Sequence, residues 1–242
     1  MDKFIVYVPL NIKFPHLGNN TDSKWLQYRL KIFRDYTLKS LINQTDSDFR
    51  VAMVCCEESR DVLRNEEIAL RRVSPDFMLV KDFYFSVKEL YEDSLEDDWE
   101  YIYLLKIDSD DMYHKDAIAK CKSSLIKEDR PRLIWFKHGY DYDIRNNKMW
   151  YMDFAPSFYG VVIPRNLYNI ETLTQYCFCD QTTIRKKYRP EIPFERMYCC
   201  LEHGRNIHED PCRNGNEMKK RCGQFRDVPE HLMAKTLEDF GI

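Results

Sequence analysis

The chain is poor in glycine, with seven residues in 242. No Gly-rich run could wrap several backbone N–H groups around a phosphate, which argues against P-loop and dinucleotide fingerprints. It also lacks a basic excess. Its 37 Lys and Arg face 40 Asp and Glu, a formal net charge of −3, whereas a general nucleic-acid binder shows a basic patch or stripe. No apolar run approaches the roughly 20 residues of a membrane helix. The first such run, Phe4 to Leu10, is stopped by Asn11 and Lys13, too early for a signal peptide. Linker-like stretches and internal repeats are absent, so one domain is expected over residues 1–242. The nine cysteines are odd in number and include no Cys-x2-Cys pair. With no secretion signal, reduced thiols and a cytoplasmic location are expected.

Alternation of short apolar runs with amphipathic segments fills the first half. Lys3 to Leu10 reads as a buried strand. Asp22 or Ser23 can cap a helix from Trp25 to Ile42, where apolar residues recur at three- and four-residue spacing. Phe49 to Cys56 reads as a second strand, Glu57 to Val73 as a charged helix stopped by Pro75, and Phe77 to Phe83 as a third strand. Ser86 with Glu89 three positions later is a capping box opening a short helix to Leu95. Tyr101 to Ile107 is the fourth strand and Lys115 to Ile126 the next helix. Repeated strand–helix units imply an α/β domain with a parallel sheet. The second half reads differently. Leu133 to His138 and Lys148 to Asp153 form a hairpin over Arg145-Asn146-Asn147-Lys148. A short strand at Val161 to Ile163 and a helix over Asn166 to Tyr176 follow. A helix capped by Asp180 and a short amphipathic tail from Glu230 to Phe240 complete the reading.

The stretch demanding an explanation is Leu104-Leu105-Lys106-Ile107-Asp108-Ser109-Asp110-Asp111. A buried strand empties into three carboxylates within four positions. Like charges that close repel, and each needs water or a cation. A hard divalent ion, Mn²⁺ or Mg²⁺, takes oxygen ligands from such a group and can bind diphosphate oxygens as well. The acids stand at the carboxyl end of a strand, where open α/β sheets bind ligands. The plainer alternative is a solvated turn with Asp111 capping the next helix.

Further residues give this segment a family likeness. Arg29, Phe33, Tyr36, Leu38, Ser40, Leu41, Gln44 and Phe49, with Lys106-Ile107-Asp108-Ser109-Asp110-Asp111 and His203-Gly204-Arg205-Asn206, resemble in order the motifs of the putative rhamnosyltransferase family. That resemblance implies an A-type, Rossmann-like glycosyltransferase fold: a mainly parallel sheet, helices on both faces, and a C-terminal extension. Residues 1–127 would be the nucleotide-sugar half and 128–242 the acceptor half with the C-terminal segment. The implied activity is hexose transfer from a nucleotide diphosphate sugar to a glycan or other hydroxyl acceptor. Asp108 and Asp110 would bind the metal and Asp111 would stand at the donor sugar. His203 would complete the metal or diphosphate site, or be an ordinary core or surface histidine. Pro9 and Asn11 would meet the nucleobase. Arg29 either contacts phosphate or pairs with a helix neighbour. For an inverting transfer, which needs a general base, Asp180 is the first candidate and Asp153 the second, while Ser157 and Tyr159 line the acceptor side.

Two rival readings use the same residues. A nucleotidyltransferase or metal-dependent phosphohydrolase could employ the acids, though it would be expected to carry more basic phosphate ligands or a Gly-rich loop. A non-enzymatic interaction domain could hold structural zinc through Cys177, Cys179, Cys199, Cys200, His203, His208, Cys212 and Cys222.

Overall fold

A computed structural model describes residues 1–11, 23–65, 80–84, 86–124, 127–152, 159–178, 190–204 and 225–242. Strand β1 (Asp2–Asn11) lies at the centre of the parallel half of the sheet. It pairs in parallel with β2 (Arg50–Cys55) on one side and β4 (Tyr101–Lys106) on the other, and β2 pairs in parallel with β3 (Val80–Tyr84). The β1 side chains alternate between two cores. Phe4, Val6, Val8 and Leu10 enter one cluster, while Ile5 and Tyr7 enter the other. Burial on both faces is why the strand reads as an unbroken apolar run.

The second half extends the same sheet with antiparallel pairs. Strand β8 (Tyr159–Pro164) runs against β4, β6 (Arg132–Asp143) against β8, and β7 (Lys148–Met152) against β6. The sheet is therefore mixed, with the order β10-β7-β6-β8-β4-β1-β2-β3, where β10 is Phe225–Asp227. The hairpin tip closes through Asn147 at φ 48°, a left-handed conformation that asparagine tolerates.

One long strand is not evident in the sequence. β9 (Pro190–Glu202) pairs in parallel with β6 and also carries the two-residue β5 (Met112–Tyr113). Pro190, Pro193, Glu195 and Arg196 break its apolar pattern, and register shifts on β6 accommodate the irregularity. This strand returns the chain from the far half to the acids. Gly139 on β6 makes the approach possible: a Cβ there would stand 2.4 Å from the Tyr198 ring and 2.6 Å from the Tyr198 carbonyl oxygen.

Helices cover both faces. The expected helix over Trp25 to Ile42 forms as Ser23–Ile32 and Leu38–Ile42, joined by a π-helical turn at Phe33–Thr37. The buried residues Leu26 and Leu30 precede it, Phe33 opens it, and Leu38 and Leu41 follow. The wider turn takes up the five-residue step from Phe33 to Leu38, so both halves face the sheet. The capping box of Ser86 and Glu89 forms as read. The helix after the acids spans Ala117–Ser123, and the last one Glu230–Asp239. Of the charged helix expected from Glu57, a 3-10 turn (Glu57–Ser59) and helical residues 60–65 are described; its remainder and residues 77–79 lie outside the described residues. Among the described residues no helix is long and apolar enough to cross a membrane.

Candidate functional site

The acids occupy a tight turn at the carboxyl end of β4. The Asp111 amide donates to the Asp108 carbonyl at 3.0 Å, which makes Ser109 and Asp110 the central residues of a β-turn. The turn then re-enters the sheet at once through β5. Ile107, just before it, donates its amide to the Tyr7 carbonyl at 3.0 Å, and the Tyr113 hydroxyl donates to the Lys106 carbonyl at 2.7 Å. Both ends of the turn are thus held by the sheet.

The three carboxylates have three different surroundings. Asp108 stands at the rim with its side chain 35% exposed, 3.8 Å from Lys106 Nζ. Asp111 is buried and accepts the Leu201 amide at 2.9 Å through Oδ1. It ties the acid turn to β9 rather than capping the following helix, whose N-cap position is Asp116. Asp110 is buried beside a buried arginine. Arg29 Nη2 donates to Asp110 Oδ1 at 2.8 Å, and Nη1 donates to Oδ2. Arg29 Nε donates to Ser109 Oγ at 2.9 Å, so one guanidinium grips two adjacent residues of the turn. A two-pronged Arg–carboxylate pair is both strong and directional. Arg29 stands over the Trp25 ring of its own helix, 5.8 Å from the ring centre, and makes its ion pair across to the acids.

His203, directly after β9, completes the cluster. Its Nε2 lies 3.0 Å from Asp110 Oδ2 and 3.4 Å from Arg29 Nη1, and the residue is 4% exposed. Burial by itself raises the Asp110 pKa. The Arg29 charge and the hydrogen bond and charge of His203 outweigh it and hold the carboxyl below the usual range. The structure therefore brings Arg29, Asp110 and His203 together from a helix, a strand-end turn and a distant strand.

From this set a divalent ion could draw one carboxylate, Asp110, whose two oxygens Arg29 already engages, and one imidazole, His203. A carboxylate oxygen and an imidazole nitrogen face one another at 3.0 Å. Among the described residues no group of three or more His, Cys, Asp or Glu is placed to hold a metal, so Asp108 does not join Asp110 and His203 in one cage. Mg²⁺ in particular is commonly held by one or two protein groups, with phosphate oxygens and water filling the other positions. Asp110 supplies one such oxygen ligand, whereas the His203 imidazole is a nitrogen donor.

Asn11 lies at the end of β1, 4% exposed. Its side-chain amide donates to Ser59 Oγ at 2.7 Å and its carbonyl accepts the Cys56 amide at 2.7 Å, so it joins the ends of β1 and β2. Pro9 lies two residues earlier on the same strand. Asp180, Asp153 and Ser157 fall outside the described residues, as do Cys179, His208, Cys212 and Cys222. Tyr159 is buried and donates to the Tyr176 carbonyl at 2.8 Å, a packing contact between β8 and the following helix. Cys199 and Cys200 alternate along β9 and enter different cores, which separates them as ligands for one ion. Burial keeps the Cys199 and Cys177 thiols protonated, the latter with its pKa pushed up to about 12.

Sequence reasoning missed Ser109 and Tyr28. Ser109 was legible only as the spacer between two acids. The Tyr28 hydroxyl donates to the His203 carbonyl at 2.9 Å and lies 3.3 Å from His203 Nδ1. Its one visible signal is adjacency to Arg29.

A family model described as putative rhamnosyl transferase matches residues 20–167, a span that holds Arg29 and the acid turn. No curated protein sequence matches the chain. Solved structures with a similar course include a putative nucleotide-diphospho-sugar transferase from Desulfovibrio desulfuricans G20. It is 8% identical, with 97% of each chain covered and a TM-score of 0.41. TarS of S. aureus is 14% identical at a TM-score of 0.38, the match covering 98% of this chain and 42% of that one. The 4-diphosphocytidyl-2C-methyl-D-erythritol synthase from Anaerococcus prevotii DSM 20548 is 10% identical at a TM-score of 0.39, covering 91% of this chain and 99% of that one.

Proposed function

Because the chain belongs to the putative rhamnosyl transferase family, we propose that it moves a hexose from a nucleotide diphosphate sugar to a hydroxyl of a glycan or another acceptor, with Mn²⁺ or Mg²⁺ at the acid turn. The observation that carries this reading is the meeting of Asp110 Oδ2 and His203 Nε2 at 3.0 Å. It lies at the carboxyl end of β4, the side on which open α/β sheets bind their ligands.

Asp110 and His203 would hold the metal, and Asp108 would face the diphosphate from the rim. When bound, the metal supplies Lewis-acid stabilisation of the charge that develops on the departing diphosphate. Arg29 keeps Asp110 ionised and fixed in direction. Asp111, tied to Leu201, would stand beside the donor sugar. Pro9 and Asn11, at the end of β1, would border the nucleobase. In an inverting transfer the acceptor oxygen bonds to the sugar's anomeric carbon as the bond from that carbon to the diphosphate oxygen breaks. The hydroxyl proton passes to a general base, the role assigned to Asp180.

A thermal-shift panel of UDP, GDP, TDP and CDP with Mn²⁺ tests the reading. At least one nucleotide should stabilise the protein, and Asp110→Ala should remove the gain. No stabilisation by any of them, or equal stabilisation of the variant, contradicts it.

A further inference from the structure

Lys106 carries its charge into a place that gives it no hydrogen bond. It is the last residue of β4, and its side chain is 18% exposed. Its ion-pair partner, Asp108 Oδ1, lies 3.8 Å from Nζ, beyond hydrogen-bond reach. The centre of the Tyr159 ring is 5.9 Å away, and the Tyr159 hydroxyl donates elsewhere, to the Tyr176 carbonyl. Among the described residues no atom accepts from Nζ, which has three hydrogens to give. Other cations as buried as this one are bonded. Lys122, 17% exposed, donates to Asp46 Oδ1 at 2.7 Å and to the Asp48 carbonyl at 2.6 Å. Lys3 donates to Asp97 Oδ2 and Arg50 to Asp93 Oδ2, each at 2.7 Å. A largely desolvated ammonium without an acceptor costs free energy. Its backbone is nonetheless fixed, since the Tyr113 hydroxyl donates to the Lys106 carbonyl.

Side chains along β4 alternate between the two cores. Tyr103 and Leu105 enter one and Leu104 the other, so Lys106 projects to the Leu104 side. It stands level with Tyr7 of β1, whose ring lies in that same core, and Pro9, two residues further along β1, shares the face. The helix that supplies Arg29 packs Leu26 and Leu30 into the opposite core. The ammonium therefore stands at the carboxyl end of the parallel strands, where open α/β sheets bind ligands, on the face that carries Pro9. We propose that Lys106 binds a phosphate oxygen of the nucleoside diphosphate, with Asp108 orienting the ammonium from the rim. A phosphate oxygen makes the short, charge-assisted hydrogen bond that Asp108 at 3.8 Å does not. Lysine suits this task as a point charge on a flexible stem. The contact involves no proton transfer and no metal: the ammonium offsets one phosphate charge in the bound donor and in the departing diphosphate.

The inference rests on the nucleotide-sugar reading given above, and the test separates the two. Isothermal titration, with Mn²⁺ and again with EDTA, compares wild type, Lys106→Met and Lys106→Arg. The probes are UDP, GDP, TDP and CDP, the matching nucleosides, and inorganic pyrophosphate. Lys106→Met should bind the preferred nucleoside diphosphate about 10- to 100-fold more weakly, as loss of a charge-assisted hydrogen bond predicts. Its affinity for the nucleoside should be unchanged, and Lys106→Arg should recover most of the loss. Because the charge removed has no hydrogen bond in the free protein, Lys106→Met should melt no lower than wild type. Equal diphosphate affinity in Lys106→Met and wild type overturns the inference and leaves the nucleotide-sugar reading standing. A lower melting temperature with equal losses for nucleoside and diphosphate also overturns it, making Lys106 a structural partner of Asp108. So does a Lys106 dependence confined to pyrophosphate, which would assign the point to a free anion. A wild type that binds no nucleoside diphosphate in either condition defeats the nucleotide-sugar reading and the inference together.

Discussion

Arg29 grips Asp110 with both terminal nitrogens of its guanidinium, and neither residue is more than 7% exposed. Taking two charges out of water is costly, and the cost is tolerable only while they remain paired. The pair is therefore a strong constraint on the position of the acid turn relative to the first helix. Removal of one member leaves the other charged and buried. Arg29→Ala should cost about 3–5 kcal/mol in a urea denaturation experiment. A loss below 1 kcal/mol would mean that water reaches the pair.

The same pairing sets a sign for acid behaviour. Despite burial, Arg29 and His203 keep the Asp110 pKa below its ordinary value, which is about 3.9 in an unfolded chain. A carboxyl with a depressed folded pKa contributes stability above the unfolded value and loses it as pH falls toward the folded one. Unfolding free energy measured downward from pH 6 should decline below about pH 4. The slope should be shallower in Asp110→Asn, which has no carboxyl to protonate there. Identical slopes would remove Asp110 from the acid transition.

His114 makes a second, independent pH contribution. Burial lowers its pKa, against the opposing pull of Asp239 and Asp116, and its ring meets Phe240 of the C-terminal segment edge-on at 5.6 Å. As pH falls through about 6.5, the unfolded imidazole takes up a proton before the folded one does. Stability should therefore decrease between pH 8 and pH 5, and His114→Gln should flatten that part of the curve. A curve equally steep in the variant would contradict the assignment.

Gly139 supports the close approach of β6 and β9. An added Cβ would meet the Tyr198 ring and a backbone oxygen, neither of which can swing aside as a flexible side chain can. Gly139→Ala should destabilise by about 1–3 kcal/mol, the usual cost of overpacking, and should weaken Mn²⁺ binding because β9 carries His203 to the acids. Unchanged melting and metal affinity would show that the two strands can part without consequence.

The local features were the legible ones. The parallel strands announced themselves through unbroken apolar runs, the short helix through Ser86 and Glu89, and the acid turn through its conflict with the strand before it. Arg29 and His203 were singled out by family resemblance, and the fold places both against Asp110. What the sequence could not disclose were relations across long separations. Nothing local says that Pro190 to Glu202 is a strand: its prolines and charges argue otherwise, and pairing with β6 overrides them. The Tyr28 contact with His203 spans 175 positions, and its only local hint was the neighbouring arginine. The tie between Asp111 and Leu201 likewise exists only once β9 is in place.

The central claim is that Asp110 and His203 form a metal point shared with a diphosphate. Its most direct test is the coupling between the two ligands. Isothermal titration of Mn²⁺ with and without the stabilising nucleoside diphosphate should show each tightening the other by about tenfold or more, equally in both directions as linkage requires. Asp110→Ala and His203→Ala should each abolish that coupling. Independent binding of metal and nucleotide, or coupling that survives both substitutions, would contradict the account.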